Sequence, residues 1–227
     1  MSKEMELSVI IPAYLEEENL RLILPRLNIV LKKDYSNKYE IFVVDTQSSR
    51  DHTKEVCSEN NVVYVNREFG DSYGDAIRTG IKFANGKYII FMDADGSHSP
   101  EFIIKMYAYK DDSDVIIASR YVKGGGSDNK KILILMSWMV NFIYSLVLGL
   151  KCKDVSNSFK LYRADLLKSI NVVEEILFKI KKIKKDMMIK EIPYVFKERM
   201  FGNTKRNLVT FIITYMFTLL KLRFFNR

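Results

Sequence analysis

Cysteine and histidine are scarce in this chain, which has two of each among 227 residues. Two cysteines, Cys57 and Cys152, cannot build a disulfide framework, and so few cysteines and histidines argue against a structural zinc site. Glycine and proline are also few, at 10 and 4, while 48% of the residues are apolar. These numbers exclude a disordered, collagen-like or low-complexity chain. We therefore expect one folded domain, with or without an appendage, in a reducing, cytosolic setting.

Several enzyme motifs are missing as well. The chain has no Gly-x-x-x-x-Gly-Lys-Ser/Thr P-loop and no Gly-x-Gly-x-x-Gly after its first strand, which argues against P-loop NTPases and dinucleotide oxidoreductases. It also has no nucleophile elbow, and its two histidines are His52 and His98, so a Ser-His-Asp hydrolase is not expected. We interpret His98 as a packing or hydrogen-bonding residue. The N-terminal residues do not have the pattern of a signal peptide.

The basic excess of the chain is confined to its C-terminal end. The formal net charge is +8, but residues 1–177 carry 23 Lys and Arg against 25 Asp and Glu, whereas residues 178–227 carry 13 against 3. A basic run of this kind is most often a solvated helix face. Because the first part is almost neutral and shows no interleaved basic and aromatic surface, nucleic-acid binding is not expected.

Two apolar segments flanked by basic residues point to a membrane surface as a partner. Residues 132–150 carry no charged side chain, and their length is close to the roughly 20 residues that span a bilayer. The segment contains Ser137, Asn141 and Trp138, which a helix lying in the membrane interface accommodates better. Residues 208–220 are too short to span. We expect both to meet an anionic membrane surface; a true span, or packing in the core or against a second copy, remain alternatives.

Strand and helix patterns alternate along the first half of the chain. This order is typical of an α/β fold in which a mostly parallel sheet is covered by helices on both faces. After residue 126 the pattern is less regular. The predicted strands are 6–12, 39–44, 61–65, 87–92, 114–118, 158–162 and 189–196, and the predicted helices are 17–33, 51–59, 72–84, 100–109, 132–150, 164–185 and a tail helix over 207–227.

Polar side chains follow three of the predicted strands. Tyr14 and Glu16 come after the first strand, Asp45 ends the second, and Asp93 and Asp95 follow the fourth. Ligands of such sheets bind beyond the carboxyl ends of the strands, so these residues form a candidate site. Two carboxylates one residue apart can face a single Mg²⁺ or Mn²⁺ ion whose other positions are filled by phosphate oxygens. An acidic turn without a metal is the alternative.

A set of short motifs occurs in a fixed order between about residues 6 and 206. They are 8–14 with Glu16, Glu17 and Asn19; 43–45 with Asp51 and Thr53; Gly74-x-Ala76-x-x-x-Gly80; 91–100; 118–121; 154–163; 191–193; and Arg199-x-x-Gly202-Asn203-Thr204-Lys205. Each motif is weak alone, but the ordered set resembles the GT-A glycosyltransferases of family 2. The later motifs resemble the branch of dolichol-phosphate mannosyltransferases and polyprenyl-phosphate glycosyltransferases.

The resemblance implies a GT-A fold, a nucleotide-sugar donor that is GDP- or UDP-linked, and Mg²⁺ or Mn²⁺ as cofactor. The residues that it places at the nucleotide-sugar are Pro12, Ala13, Tyr14, Glu16, Asp45, Gly74 and Asp93. Those that it places at the metal are Asp93, Asp95 and Ser97, and those that it makes catalytic are Asp95 and Arg120. Those that it places at the acceptor or its phosphate are Arg120, Lys131, Ser137, Arg199 and Lys205.

Three parts of the sequence depart from the pattern of that family. The chain has Asp45-Thr46-Gln47-Ser48 where the family has Asp-Asp-Gly-Ser, which leaves the base of the donor open. Leu133 stands where an acceptor-site arginine is usual, and Lys130 or Lys131 is the available replacement. Ser97 stands where many members have a glutamine near the metal.

The resemblance also suggests how the chain is organised. We expect a nucleotide-sugar and metal-binding GT-A core over residues 1–126 and an acceptor-side part of the same domain over 127–206, which includes the apolar helix 132–150. A basic amphipathic tail helix over 207–227 would complete a set of C-terminal membrane-interface helices. Pairing of the tail helix with a second copy leaves a homo-oligomer open.

Taken together, the resemblance implies inverting, metal-dependent transfer of a sugar from a nucleotide-sugar to a polyprenyl phosphate of the undecaprenyl or dolichyl type. The protein would be peripheral or monotopic at the cytoplasmic side of the membrane. A phosphate monoester has a second pKa near 6 and so arrives already ionised, without need of a general base. The first alternative is the same fold acting on a saccharide or glycolipid hydroxyl in cell-surface polysaccharide synthesis. The second is a catalytically silent scaffold or a basic nucleic-acid binder, against which the near-neutral charge of residues 1–177 argues.

Overall fold

The computed structural model describes residues 4–35, 38–170, 176–202 and 217–218. The strands are β1 (Leu7–Pro12), β2 (Tyr39–Asp45), β3 (Val63–Asn66), β4 (Tyr88–Phe91), β5 (Val115–Ser119), β6 (Gly126–Ser127), β7 (Lys160–Arg163), β8 (Ile189–Pro193) and β9 (Val195–Phe196). The helices are α1 (Glu17–Tyr35), α2 (Thr53–Glu59), α3 (Tyr73–Phe83), α4 (Phe102–Tyr107), α5 (Lys131–Leu148), α6 (Ala164–Lys168) and α7 (Ile176–Ile183).

Seven strands form one sheet in the order β3-β2-β1-β4-β7-β5-β8, and β6 pairs with β9 in a separate two-stranded ladder. All neighbours in the large sheet are parallel except β7, which runs antiparallel between β4 and β5. The carboxyl ends of β1, β2, β4 and β5 therefore lie at the same edge. The predicted mostly parallel α/β sheet is confirmed.

Apolar side chains pack on both faces of this sheet. On one face, α1, α2 and α4 cover the strands through buried residues such as Leu24, Val56 and Met106. On the other face, α3, α5, α6 and α7 do so through residues such as Ile81 and Leu167. The strands are buried on both sides because helices cover both faces, which is why they appear in the sequence as continuous apolar runs.

Most of the predicted elements differ from the observed ones by a few residues at their ends, and three of the differences have a clear physical or structural basis. Helix α2 begins at Thr53, because Asp51 is used outside it: one carboxylate oxygen accepts from the Thr53 N–H at 3.1 Å and the other accepts from the Glu17 N–H at 3.1 Å. The predicted helix 164–185 is represented by α6 and α7, with 171–175 outside the described residues. The predicted strand 189–196 ends its pairing with β5 at Pro193, which has no N–H to donate, and continues as β9.

Helix α5 leaves most of its apolar surface uncovered. It ends at Gly149, whose φ of +62° is the left-handed conformation that commonly closes a helix. The exposed fraction reaches 70% at Leu146, whereas Asn141, Tyr144 and Leu148 are buried. Among the described residues α5 is the helix long and apolar enough to cross a membrane, and 17% of it is buried. Only a narrow stripe of α5 is thus packed in the core.

Parts of the predicted organisation remain untested. Residues on both sides of position 126 pair in the same sheet, since β7 lies between β4 and β5, and the division at residue 126 stays a prediction. The predicted tail helix and its pairing with a second copy lie outside the described residues, apart from 217–218, which are helical.

Candidate active site

A cleft of about 840 Å³ lies at the edge of the sheet where β1, β2 and β4 end. The loops that follow these strands line it, together with the segment after β9. A cavity of about 500 Å³ at the opposite edge, beside Asn28 and Tyr39, is remote from the paired carboxylates. The predicted site residues that the structure brings together in the larger cleft are Pro12, Ala13, Tyr14, Glu16, Asp93, Asp95 and Arg199.

Asp93 and Asp95 occupy the turn that follows β4, and both side chains are partly exposed, at 29% and 21%. The Ser158 hydroxyl donates to Asp93 Oδ2 at 2.8 Å. Asp95 Oδ1 accepts from the Ser97 N–H at 3.0 Å and from the Ser97 hydroxyl at 2.5 Å. Each carboxylate is thus oriented by hydrogen bonds from the chain while it remains accessible from the cleft.

Ser97 and His98 support this turn from below. Ser97 is 1% exposed and its hydroxyl is directed at Asp95, so its contribution as a metal ligand stays a prediction. His98 is also buried; its Nδ1 accepts from the Asp93 N–H at 2.9 Å and its ring stacks on Phe159, with centroids 4.4 Å apart. Burial lowers the pKa of His98, so the imidazole is held neutral. The interpretation of His98 as a packing residue is confirmed.

The donor set at this edge fits a divalent cation that is bound together with phosphate. Within the part of the chain that the structure describes, no group of three or more His, Cys, Asp or Glu side chains forms a complete metal site. Asp93 and Asp95 supply two carboxylates instead. Mg²⁺ is commonly held by one or two carboxylates, with phosphate oxygens and water in its remaining positions. A cation at this turn would therefore take its remaining ligands from phosphate oxygens and water.

Asp45 lies beneath the cleft, and the chain itself engages its carboxylate. It is 1% exposed. Asp45 Oδ1 accepts from the Thr46 N–H at 2.8 Å, and Oδ2 accepts from the hydroxyls of Ser49 and Tyr64, each at 3.1 Å. The predicted contact between Asp45 and the nucleotide stays a prediction. The structure places Thr46, the next residue, in the wall of the cleft.

Arg67 lines the cleft and was missed by the sequence analysis. It follows β3 directly, is 7% exposed, and donates to the carbonyl of Ala13 at 2.6 Å and to the carbonyl of Asp71. Burial lowers the pKa of Arg67, although the neighbouring acidic residues raise it, and a guanidinium remains charged in either case. Its position at the carboxyl end of a strand was the signal available in the sequence.

Arg199 connects the two sides of the cleft. Its guanidinium donates to both carboxylate oxygens of Glu16 at 2.8 Å, and its Nε lies 3.7 Å from Asp95 Oδ2. Burial lowers the pKa of Arg199, but Glu16 and the two aspartates raise it above its ordinary value. The following Met200 N–H donates to the Asp95 carbonyl at 2.9 Å, so this segment lies across the carboxylate turn. Arg199 therefore places a guanidinium beside the carboxylates of Glu16 and Asp95 in the cleft.

Arg120 lies beside the cleft and is held by an ion pair with Asp154. Its Nε and Nη2 donate to the two carboxylate oxygens of Asp154 at 2.9 Å and 2.6 Å. The guanidinium lies 5.6 Å from the ring centroid of Phe196, which lines the cleft. The predicted catalytic arginine is thus adjacent to the cleft wall and is not part of it.

The remaining predicted residues are more scattered. Ser137 and Lys131 lie on α5, half-buried and exposed respectively. Gly74 lies in the first turn of α3 and does not appear among the described residues of the cleft wall. Lys205 lies outside the described residues. The acceptor side that the resemblance implies is therefore assembled only in part.

Comparison with known proteins identifies the family. The family model described as Glycosyl transferase family 2 matches residues 8–171. The chain belongs to this family. Among curated relatives, this family 2 member is 33% identical to the dolichol-phosphate mannosyltransferase of Pyrococcus furiosus over 88% of the chain, and it spans 59% of the length of that relative. It is 30% identical to the undecaprenyl-phosphate mannosyltransferase of Micrococcus luteus, over 88% of the chain and 87% of the relative.

Solved structures share the fold of this family 2 member at low identity. Glucosyl-3-phosphoglycerate synthase of Mycobacterium tuberculosis, crystallised with Mn²⁺, uridine diphosphate and glucosyl-3-phosphoglycerate, superposes with a TM-score of 0.70. The alignment covers 96% of this chain and 80% of that one, at 14% identity. The same enzyme with Mg²⁺ and uridine diphosphate gives a TM-score of 0.71. These likenesses establish the GT-A architecture.

Proposed function

We propose that this protein transfers a sugar from a nucleoside-diphosphate donor to a polyprenyl phosphate, with inversion at the sugar. The observation that carries the proposal is the pair Asp93 and Asp95 at the carboxyl edge of the sheet, in a cleft that also holds the cation of Arg199. The two curated relatives described above carry the names of dolichol-phosphate and undecaprenyl-phosphate mannosyltransferases, which supports the acceptor class.

Asp93 and Asp95 would hold Mg²⁺ or Mn²⁺ on the diphosphate, with Ser97 orienting Asp95. The bound cation would supply charge neutralisation for the departing nucleoside diphosphate. The structural neighbours that contain Mn²⁺ or Mg²⁺ with uridine diphosphate support a divalent ion in this fold. Arg199 Nε lies 3.7 Å from Asp95 Oδ2 and adds positive charge beside the carboxylate turn.

The nucleoside would lie over the loop after β1, against Pro12, Ala13 and Tyr14. Arg67 fixes that loop through the Ala13 carbonyl, and Thr46, whose hydroxyl donates to the Ser48 carbonyl at 2.7 Å, lies beside it in the cleft wall. Whether the donor is GDP- or UDP-linked depends on which edge of the nucleobase these polar groups bind. In this proposal Asp45 supports the nucleotide-binding loop from beneath, and Gly74 belongs to the start of helix α3 beside it.

The acceptor phosphate would approach from the side of α5, near Arg120, Ser137 and Lys131, with Lys205 as a further cation in the sequence. A phosphate monoester is largely ionised at neutral pH and attacks without a general base. The exposed apolar face of α5 would lie in the membrane interface and bring the isoprenoid tail to the cleft. The protein would then act as a peripheral or monotopic enzyme at the cytoplasmic leaflet.

Transfer of radiolabelled sugar tests the proposal. Purified protein is incubated with GDP- or UDP-sugars, undecaprenyl or dolichyl phosphate and Mg²⁺ or Mn²⁺, and the lipid product is treated with mild acid. We expect an acid-labile product whose formation stops in EDTA and falls at least 100-fold in Asp95→Ala, on the order of the loss of one electrostatic group in an active site. Asp111→Ala, which removes a carboxylate that is 74% exposed, serves as control. Full activity in EDTA would contradict metal dependence, and an acid-stable product would favour a hydroxyl acceptor.

Ligand binding tests the donor independently of the acceptor. A ligand that binds only the native state raises the apparent melting temperature. We expect a nucleoside diphosphate with Mn²⁺ to raise it in the wild type and not in Asp95→Ala, and the base that gives the larger shift identifies the donor. A shift that is equal in both proteins would place the nucleotide away from the carboxylate turn.

A further inference from the structure

Asn141 is a buried polar residue in a helix whose neighbouring side chains are apolar and exposed. It is 0% exposed, whereas Met139 and Phe142 of the same helix are 50% and 55% exposed. A buried amide needs hydrogen-bond partners, because an unpaired one has lost its water without compensation. The hydrogen-bond partners of Asn141 therefore identify the part of the chain that the buried face of α5 positions.

Asn141 binds Ser156 through both atoms of its amide. Asn141 Oδ1 accepts from the Ser156 N–H at 2.7 Å, and Nδ2 donates to the Ser156 hydroxyl at 2.9 Å. Nδ2 also donates to the Ser137 carbonyl at 2.8 Å, one turn earlier in the helix. These two bonds fix both the backbone and the side chain of Ser156. The contact therefore determines the position of Ser156 within the loop between α5 and β7.

Ser156 lies in a strap, residues 154–158, that reaches the site at two points. At its start, Asp154 accepts from the Arg120 N–H and from its guanidinium, and the Ser156 hydroxyl accepts from Arg120 Nη2 at 3.2 Å. At its end, Ser158 donates to Asp93 Oδ2 at 2.8 Å. Arg120 is therefore held between Asp154 and the serine that Asn141 fixes.

The two ends of the strap are anchored separately. Near its end, the Asn157 side chain donates to the Ala118 carbonyl at the close of β5. Near its start, the Glu191 carboxylate accepts from the Asp154 N–H at 3.0 Å and from the Lys153 N–H at 2.8 Å. The anchor at Asn157 lies between Ser156 and Ser158, so a displacement of Ser156 is not transmitted directly to Asp93.

We propose that Asn141 is a positioning residue for Arg120: through Ser156 it sets the guanidinium at the acceptor side of the cleft and leaves the metal-carboxylate side unaffected. This inference rests on the proposed function for its kinetic consequences, but its structural part does not. It also assigns a role to the inner face of α5. The helix that presents an apolar surface to the outside is the same helix that holds the arginine.

Hydrogen exchange of the full chain, measured by mass spectrometry, tests the structural part. In Asn141→Ala we expect amide exchange in peptides that cover 119–121 and 153–156 to rise at least tenfold. Ser145→Ala is the matched control, because Ser145 lies on the same helix and its hydroxyl donates to the Leu150 carbonyl at 2.5 Å, away from the strap. Unchanged exchange at 119–121 in Asn141→Ala would overturn the proposal, as would an equal increase in Ser145→Ala.

Kinetics distinguish positioning from a general loss of structure. With donor and polyprenyl phosphate varied separately, Asn141→Ala should raise the KM of the acceptor about tenfold and that of the donor less than twofold. Ser156→Ala, which leaves α5 intact, should change the acceptor KM and the donor KM in the same directions as Asn141→Ala does, by smaller factors. Ser158→Ala should show the opposite split, since its hydroxyl binds Asp93. Equal changes in the two KM values of Asn141→Ala would overturn the proposal.

The two arms keep this inference separate from the proposed function. If wild-type protein transfers no sugar to polyprenyl phosphate, the proposed function fails, and the exchange result alone decides whether Asn141 holds Arg120. If Asn141→Ala does not fold, as judged by its thermal unfolding, Ser156→Ala takes its place in both arms. Wild-type exchange at 119–121 and wild-type acceptor KM in Ser156→Ala would then overturn the proposal.

Discussion

The ion pair between Arg120 and Asp154 is almost entirely withdrawn from solvent. The side chain of Asp154 is 0% exposed and that of Arg120 is 13% exposed. The Asp154 carboxylate accepts hydrogen bonds from the backbone N–H and the guanidinium of Arg120, and the Asp154 N–H donates to Glu191. Removal of one partner of such a pair leaves the other charge buried without compensation, which is costly even where the intact pair contributes little.

We therefore expect Asp154→Ala to lower the free energy of unfolding by about 3–5 kcal/mol. The matched control is Asp165→Ala, which breaks the Arg163–Asp165 pair, 44% and 60% exposed, and should cost less than about 1 kcal/mol. Urea denaturation of both variants measures the difference. Similar losses in the two variants would contradict the argument from burial.

At the scale of single residues, the sequence predicted cleft residues that follow strands better than buried residues that act through their hydrogen bonds. Asp93, Asp95 and Glu16 were found because each lies within four residues of the end of an apolar strand, and the cleft contains all three. Arg67 and Asn141 were missed as functional residues. The place of Arg67 directly after β3 was visible in the sequence, but its burial and its bond to Ala13, 54 residues away, were not. Asn141 bonds Ser156, 15 residues away, and no local pattern reveals that contact.

At the scale of elements, helix α3 shows how closely a helix can approach a strand. A Cβ atom added at Gly80 would lie 2.4 Å from Ile10 Cγ2 of β1, whereas one at Gly74 would find nothing closer than the Ser72 hydroxyl at 3.7 Å. Gly80→Ala should lower the free energy of unfolding by about 1–3 kcal/mol, because the packed strand must shift. Gly74→Ala, in the same helix, should be neutral or stabilising by up to about 1 kcal/mol. Thermal unfolding of the two variants provides the test; equal effects would contradict the close approach.

The start of α3 is closed by a capping box. Ser72 Oγ accepts from the Asp75 N–H at 3.2 Å, and the Asp75 carboxylate accepts from the Ser72 N–H at 2.8 Å. The Ser72 hydroxyl also donates to this carboxylate and, with the backbone and Arg78, holds the pKa of Asp75 below its ordinary value of 3.8. The charged form is thus favoured in the folded protein, and its stabilisation is present above the ordinary pKa and lost as the pH falls through the lower native value.

Asp75→Asn should accordingly cost about 1 kcal/mol of unfolding free energy at about pH 7. The difference from the wild type should shrink at an acidic pH below the ordinary carboxyl pKa of 3.8, as protonation begins to remove the same charge from Asp75. Urea titrations at both pH values give the two differences. A difference that does not change with pH would show that the carboxylate charge is not what stabilises the helix start.

The order of elements was predictable, and the position of β7 was not. Continuous apolar runs and helical spacing located β1, β2, β4 and β5 to within one or two residues. The run that became β7 is inserted antiparallel between β4 and β5, which are 23 residues apart in the chain. A strand pattern fixes which residues are extended, but the choice of neighbours depends on pairings distant in sequence. The same holds for β6 and β9, whose two-residue ladder carries no pattern at all.

At the scale of the whole molecule, the two faces of the sheet differ in how their helices meet solvent. Helix α1 on one face exposes isolated apolar side chains such as Ile29, which is normal for a soluble surface. Helix α5 on the other face exposes a row at helical spacing that includes Leu135, Met139, Phe142 and Leu146. The basic helix α7 lies at the end of this row, where the ammonium of Lys181 donates to the Gly149 carbonyl. Apolar surface edged by cations suits the interface of an anionic bilayer.

A charge placed on this row should weaken binding to membranes. Leu146 is 70% exposed and Ile29 is 72% exposed, so Leu146→Glu and Ile29→Glu make a matched pair on opposite faces of the sheet. Withdrawal of one leucine from the bilayer forfeits about 1.5–3 kcal/mol, or roughly a tenfold loss of affinity or more. We expect that loss for Leu146→Glu on vesicles containing an anionic lipid, and none for Ile29→Glu. Trp138, the single tryptophan of the chain, lies on α5 at 47% exposure, so its emission should shift to shorter wavelength on binding in the wild type and in Ile29→Glu. Equal vesicle affinities of the two variants, or an unshifted Trp138 in a bound protein, would show that another surface of the molecule meets the membrane.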